Sequence, residues 1–227
     1  MSEPVPPPMA GPAGPEGWAC AVCGAQRRAV IDLLIQWQHA LTISEAERQT
    51  FGESRGLCPF HMWLLRQIGD PLSLSKALAP VVNAWVIQLR EMRDAPDHGA
   101  ASIRSALPEQ DACRACRTQR DAGAAALARL LAELPPRDMG GERRSGAALC
   151  LRHLAAALRS APTRAAARTL LTEQEARLEE VAGQLSRYIE KREALRRDQI
   201  GEDEHEAWRR ALEAVAGARI VGNGAGG

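Results

Sequence analysis

The sequence predicts an all-α protein built as two tandem three-helix repeats, each with a Cys₃His site, followed by a C-terminal helical extension. Two observations carry that prediction. Apolar residues recur at spacings of three and four along most of the 227 residues, with no strand-like alternation. In addition, one constellation occurs twice: Ala-Cys-x-x-Cys-x-x-Gln-Arg, a long gap, then Leu-Cys-x-x-His. The first copy supplies Cys20, Cys23, Cys58 and His61, and the second supplies Cys113, Cys116, Cys150 and His153. Between the pairs lie 34 residues in the first copy and 33 in the second, and the eight positions use all six cysteines.

Taken in order, Met1 to Gly17 is rich in Pro and Gly and reads as a disordered tail (1–17) rather than a signal peptide. The first metal-binding repeat (18–94) opens with a helix from about Cys20 to Leu41, with Val30, Ile31, Leu34, Trp37 and Leu41 on one face. Thr42 to Gly56 is polar and turn-forming, with a helical turn at Ser44 to Gln49. A second helix starts at Cys58, where Pro59 suits the first helical position, and stops at Gly69-Asp70-Pro71. A third, about Ser73 to Asp94, carries Leu74, Leu78, Val81, Trp85, Leu89 and Met92.

A linker (95–109) contains Pro96, Gly99 and Pro108. The ligand-bearing part of the second repeat (110–162) has a helix from about Asp111 to Leu134, a return loop with Pro135, Pro136, Gly140 and Gly141, and a helix from about Ala147 to Ser160. An offset of 93 carries Leu34 to Leu127, Trp37 to Leu130 and Leu41 to Leu134, so the copies match in apolar register as well as in ligands. Residues 163–221 complete the repeat with a long helix, about Ala165 to Arg197, whose Leu171, Leu178, Val181, Leu185 and Tyr188 have coiled-coil-like spacing, and a last helix after Gly201. Such a helix is expected to pack on the repeats rather than dimerise. A Gly-rich tail (222–227) follows.

Three thiolates and one imidazole form a closed, structural type of zinc site, so two zinc ions per chain are expected. The ligand pairs sit at helix starts, where the macrodipole favours anionic sulfur, and Arg27, Arg28, Arg114, Arg117 and Arg152 are near enough in sequence to offset its charge. A c-type haem would need histidine where Gly24 and Arg117 stand. A dithiol oxidoreductase would need a βαβ setting, and hydrolytic zinc would keep an open position that a four-ligand set lacks. An iron–sulfur cluster is chemically compatible with the same ligands. No catalytic residue is assigned. His39, His98 and His205 read as surface histidines, and Trp37, Trp63, Trp85 and Trp208 as core candidates.

A net charge of +1 leaves no dominant field for phosphate, so nucleic acid is not an expected partner. No run approaches 18 uninterrupted apolar residues, which argues against a membrane span. Cysteines paired as metal ligands, without an export signal, point to a reducing, cytoplasmic setting.

The duplicated Cys-x-x-Cys and Leu-Cys-x-x-His pairs, with the tail Gly201-Glu202-Asp203-Glu204-His205-Glu206-Ala207-Trp208-Arg209-Arg210, resemble an uncharacterised bacterial family of helical proteins, over most of the chain from Ala19 to Gly217. Lys191 to Arg197 departs from the more aromatic segment expected there. The resemblance implies an all-helical cytoplasmic protein in which the eight ligand positions matter, and it transfers no activity or substrate. The functional expectation is a zinc-binding helical module that binds or scaffolds a protein partner. The alternative is a redox or metal-responsive protein with iron–sulfur or labile zinc.

Overall fold

A computed structural model describes residues 20–94, 103, 113–134 and 148–218. The N-terminal tail, most of the 95–109 linker, the return loop of the second copy and the Gly-rich end lie outside the described residues. Among the described residues the fold is all-α, with eight helices and no strand.

Three of the helices start where a side-chain oxygen accepts from a first-turn amide. Helix α1 is Ala21–Ile43. Helix α2, Glu45–Glu53, is capped by Ser44, whose hydroxyl accepts from the Glu47 amide at 3.3 Å. The sequence assigned only a turn there. Helix α3, Pro59–Ile68, has Cys58 as its N-cap and Pro59 at the first position, where a missing N–H costs nothing. Helix α4 is Pro71–Asp94 and starts two residues earlier than expected. Asp70 accepts from the Leu72 and Ser73 amides at 2.9 and 3.1 Å, so the Asp-Pro that was read as a stop also begins the next helix. Helices α5, Arg114–Ala132, and α6, Leu151–Ser160, repeat the plan of α1 and α3. Helix α7, Arg164–Glu193, is capped by Thr163, and α8, Glu202–Ala216, follows Gly201, whose amide donates to the Glu204 carboxylate at 3.0 Å.

Two compact units form. One contains the described residues of Met1–Ala25 and Ala122–Ile220, and the other those of Gln26–Asp121. The division falls inside α1 and α5, whereas the sequence segments follow chain order. In the Gln26–Asp121 unit, Val30, Leu34, Trp37 and Leu41 of α1 pack with Phe51, Leu57, Leu64, Leu65, Ala77 and Val81. The Trp37 and Phe51 rings meet edge to face with centroids 4.9 Å apart. In the other unit, Leu130 and Leu134 of α5 pack with Leu149, Leu154, Ala157 and Leu170, and Leu127 lies at the margin. All three positions matched by the 93-residue offset therefore face a core in both copies.

Helix α7 packs along α8 and α6 within its unit. Glu204 of α8 is buried and held by Lys191 at 2.7 Å and Arg187 at 3.2 Å, both from α7. Two expected core tryptophans are instead on the surface: Trp63 is 69% exposed and Trp208 is 51% exposed. Their helices bury other faces, through Leu64 and Leu65 in α3 and through Ala207 and Ala214 in α8. Leu89 and Leu171 are likewise exposed. By length and composition alone, Pro71–Arg93 of α4 could cross a membrane, with mean hydropathy 1.3 and 17% of the qualifying window buried. Counting uninterrupted apolar residues passes over this stretch.

Candidate metal centres

All eight residues singled out by the sequence are gathered into two groups of four, but the grouping is not the one expected. Cys20 and Cys23 meet Cys150 and His153 at one site, here site 1. Cys58 and His61 meet Cys113 and Cys116 at the other, site 2. Each site thus takes one pair from each copy, which corrects the partition of one site per repeat.

The reason is reach. Helix α1 has 23 residues and carries the chain about 35 Å from Cys20, at about 1.5 Å per residue. Nine of the residues that lead back to Cys58 form α2, which rises only about 14 Å. The remaining five add at most about 17 Å when extended, and Arg55 and Gly56 have φ of 57° and 84°, which shortens the path further. At full stretch the return falls short of the length of α1, which disfavours closure on Cys20.

At all four pairs the leading cysteine occupies the residue before its helix. Its carbonyl accepts the amide four residues on: Cys20 from Gly24, Cys58 from Met62, Cys113 from Arg117 and Cys150 from Leu154, at 2.8–3.1 Å. This places the first sulfur beside the unpaired amides of the first turn and the second ligand one turn along on the same face. In site 1, Cys23 Sγ and Cys150 Sγ are 3.9 Å apart, and His153 Nδ1 lies 3.3 Å from each of the three sulfurs. In site 2, Cys58 Sγ and Cys116 Sγ are 3.6 Å apart, and His61 Nδ1 lies 3.2, 3.4 and 3.7 Å from Cys58, Cys116 and Cys113.

These separations fit one ion at each centre. With metal–sulfur bonds of about 2.3 Å and metal–nitrogen bonds of about 2.0–2.1 Å, a tetrahedron has sulfur–sulfur edges of about 3.8 Å and sulfur–nitrogen edges of about 3.5 Å. All ligand atoms of a group lie within 4.8 Å of one another, and none of the six cysteines is in a disulfide. The donor sets and the geometry therefore suit metal binding at both places.

Electrostatics argue in the same direction. Cys20 is drawn far below the ordinary thiol range by its hydrogen bonds with Cys150 and Cys23, while Cys23 is pushed up by Cys150, by Cys20 and by burial. In site 2, Cys113 is lowered to about 3, first by its hydrogen bond from Cys58, and Cys58 is raised by that contact and by burial. Cys116 is raised by burial and then by the charge of Cys113. His153 is raised to about 9, first by hydrogen bonding to Cys150 and then to Cys20. Without a cation, the sulfurs of each cluster oppose one another, one drawn down while a neighbour is pushed up. A divalent ion at the centre removes that conflict, because three thiolates can then coexist.

Surrounding residues fix the ligands. The Ala21 amide donates to the Ala148 carbonyl at 3.1 Å, tying the two ligand segments of site 1 together. The buried Gln174 side chain accepts from the Leu149 amide at 3.2 Å, just before Cys150. At site 2, the left-handed Arg55-Gly56 turn delivers Leu57 and Cys58, and the Gly56 amide donates to the Phe51 carbonyl at 2.9 Å. His61 is buried with Nδ1 toward the sulfurs, and its Nε2 has no hydrogen-bond partner among the described residues. Of the arginines expected to offset thiolate charge, Arg114 lies over the Trp37 ring at 5.3 Å, and the cation that acts on Cys116 is Arg120.

Sequence reasoning missed Gly217 and Ala218. Gly217 has φ of 85°, and a Cβ there would stand 3.3 Å from Cys23 Sγ and 3.4 Å from Cys150 Sγ. Ala218 packs beside the same cluster. A glycine at a helix end was visible in the sequence, but nothing in it tied that residue to a cysteine.

The chain matches no family model, no curated protein and no solved structure. The resemblance to a bacterial helical family thus gains no support from these comparisons, and the function must be argued from the two centres.

Proposed function

We propose that the protein is a helical binding or scaffolding module, an internal duplication whose two centres each hold a structural zinc ion. One observation carries this reading: each centre supplies four ligand atoms at tetrahedral separations. Four protein ligands fill the coordination sphere, leaving no position for a reactive water, and a Cys₃His set is typical of structural zinc. The close spacing also favours a single ion over a cluster of several irons and sulfides, which would hold its ligands farther apart. The role of the ions is to join helix starts that lie far apart in the chain. The partner is a protein, and the setting is reducing, since buried free thiols serve as ligands.

Elemental analysis with an ultraviolet–visible spectrum, on protein purified without air, tests the proposal. Two zinc ions per chain and no visible absorption are expected. A brown preparation containing iron, with charge-transfer bands, would instead establish the redox reading.

A further inference from the structure

The two centres share a ligand set but not a pattern of exposure. Site 1 buries all three cysteines, Cys20, Cys23 and Cys150, and its one partly exposed ligand is His153. The backbone of Gly217 lies against two of those sulfurs, close enough that even a methyl group would press on them. Site 2 reverses the arrangement. Its histidine, His61, is buried together with Cys58 and Cys113, and its partly exposed ligand is Cys116.

The difference matters because sulfur and imidazole fail in different ways. A thiolate keeps nucleophilic electron pairs when it binds zinc, whereas a ring nitrogen that donates its lone pair to the ion has none left to attack an electrophile. An exposed ligand is therefore harmless to site 1 and a point of entry to site 2. From this geometry we infer that Cys116 is a modification site for soft carbon electrophiles, and that its alkylation releases the ion of site 2 while site 1 keeps its own. The inference rests on the zinc reading above. In the step itself, a sulfur lone pair of Cys116 forms the new S–C bond, and the leaving group departs with the electrons of the bond that breaks. The neutral thioether that results is a poor ligand, so the zinc–sulfur bond is lost.

The test uses the full-length protein, with its metal content measured first, and limiting iodoacetamide, which loses iodide on reaction. Peptide mass mapping locates the acetamide groups, and a chromogenic chelator follows zinc release. The expected result is a label found first, and in several-fold excess, on Cys116, with one zinc released per Cys116 modified. Equal labelling of the six cysteines, first labelling at Cys20, Cys23 or Cys150, or release of both ions together would overturn it. The initial metal assay separates the two levels of failure. Absence of metal sinks the zinc reading and this inference with it, while two zinc ions followed by the wrong order of labelling sinks the inference alone.

Discussion

Cys58 and Cys116 stand 58 positions apart in the sequence, and their sulfurs lie 3.6 Å apart. Neither belongs to the same copy of the repeated motif as the other. Replacing Cys20 and Cys23 with serine is therefore expected to remove one metal ion and to expose Cys150 and His153, leaving Cys58, His61, Cys113 and Cys116 loaded. Metal analysis combined with thiol footprinting checks this. Deprotection of Cys58 in place of Cys150 would show that the ligands pair within each copy.

Metal removal is expected to abolish cooperative melting while leaving much of the helix content. Structural zinc contributes about 10–16 kcal/mol of apparent binding energy in small zinc peptides, against a net stability of about 5–15 kcal/mol for a typical domain. The aliphatic packing around Leu34, Phe51 and Leu65, and around Leu149 and Leu170, is what would retain helix. Circular dichroism and thermal scans before and after a strong chelator measure both. An apo form that melts as sharply and as high as the loaded form would rule out a structural role.

Gly52→Ala should destabilise the protein, although alanine is the better helix former by about 0.5–1 kcal/mol. The added Cβ would stand 2.8 Å from Pro80 Cβ and 3.1 Å from the Pro80 carbonyl carbon. Overpacking of this kind costs about 1–3 kcal/mol, which outweighs the gain in propensity. A lowered melting temperature at unchanged metal content is the expected result, and a raised one would show that α2 and α4 part easily.

Glu204 ties α7 to α8, and its carboxyl is held below the ordinary value of 4.5, first by the Lys191 hydrogen bond and then by the Gly201 amide. A depressed folded-state value contributes stability above the unfolded value. That contribution is full above about pH 4.5 and fades as the pH falls through the lower folded value. The gap in melting temperature between the wild type and Glu204→Gln should therefore be widest near neutrality and narrow below pH 4.5. A gap that stays constant down through that range would mean that the charge of Glu204 plays no part.

Some helix starts were legible in the sequence because they are chemical: Pro59 after Cys58, and the cysteine pairs themselves. The eight residues of the two groups were legible for a similar reason, since no cysteine is left over. Which pair meets which was not, because the answer depends on how far the chain can travel, and that changed once Glu45–Glu53 proved helical. The signal for α2 was present in Ser44 followed by Glu47, but a segment with only Phe51 and Gly52 buried shows no apolar stripe. Trp63 and Trp208 misled because a period of 3.6 groups residues by face without saying which face turns inward. Gly217 had no pattern to betray it, since its importance lies in two sulfurs contributed from elsewhere in the chain.

Helices α1 and α5 each begin in one unit and end in the other. A chain severed between α4 and α5 would therefore yield two fragments, each bearing two ligand pairs and neither bearing both pairs of one centre. Each fragment would hold two open halves of a clasp whose matching halves lie on the other fragment. What looks in the sequence like a doubled, self-sufficient motif is in its wiring a reciprocal exchange. Each copy of the motif lends one ligand pair to either centre, so a centre is complete only when both copies are present.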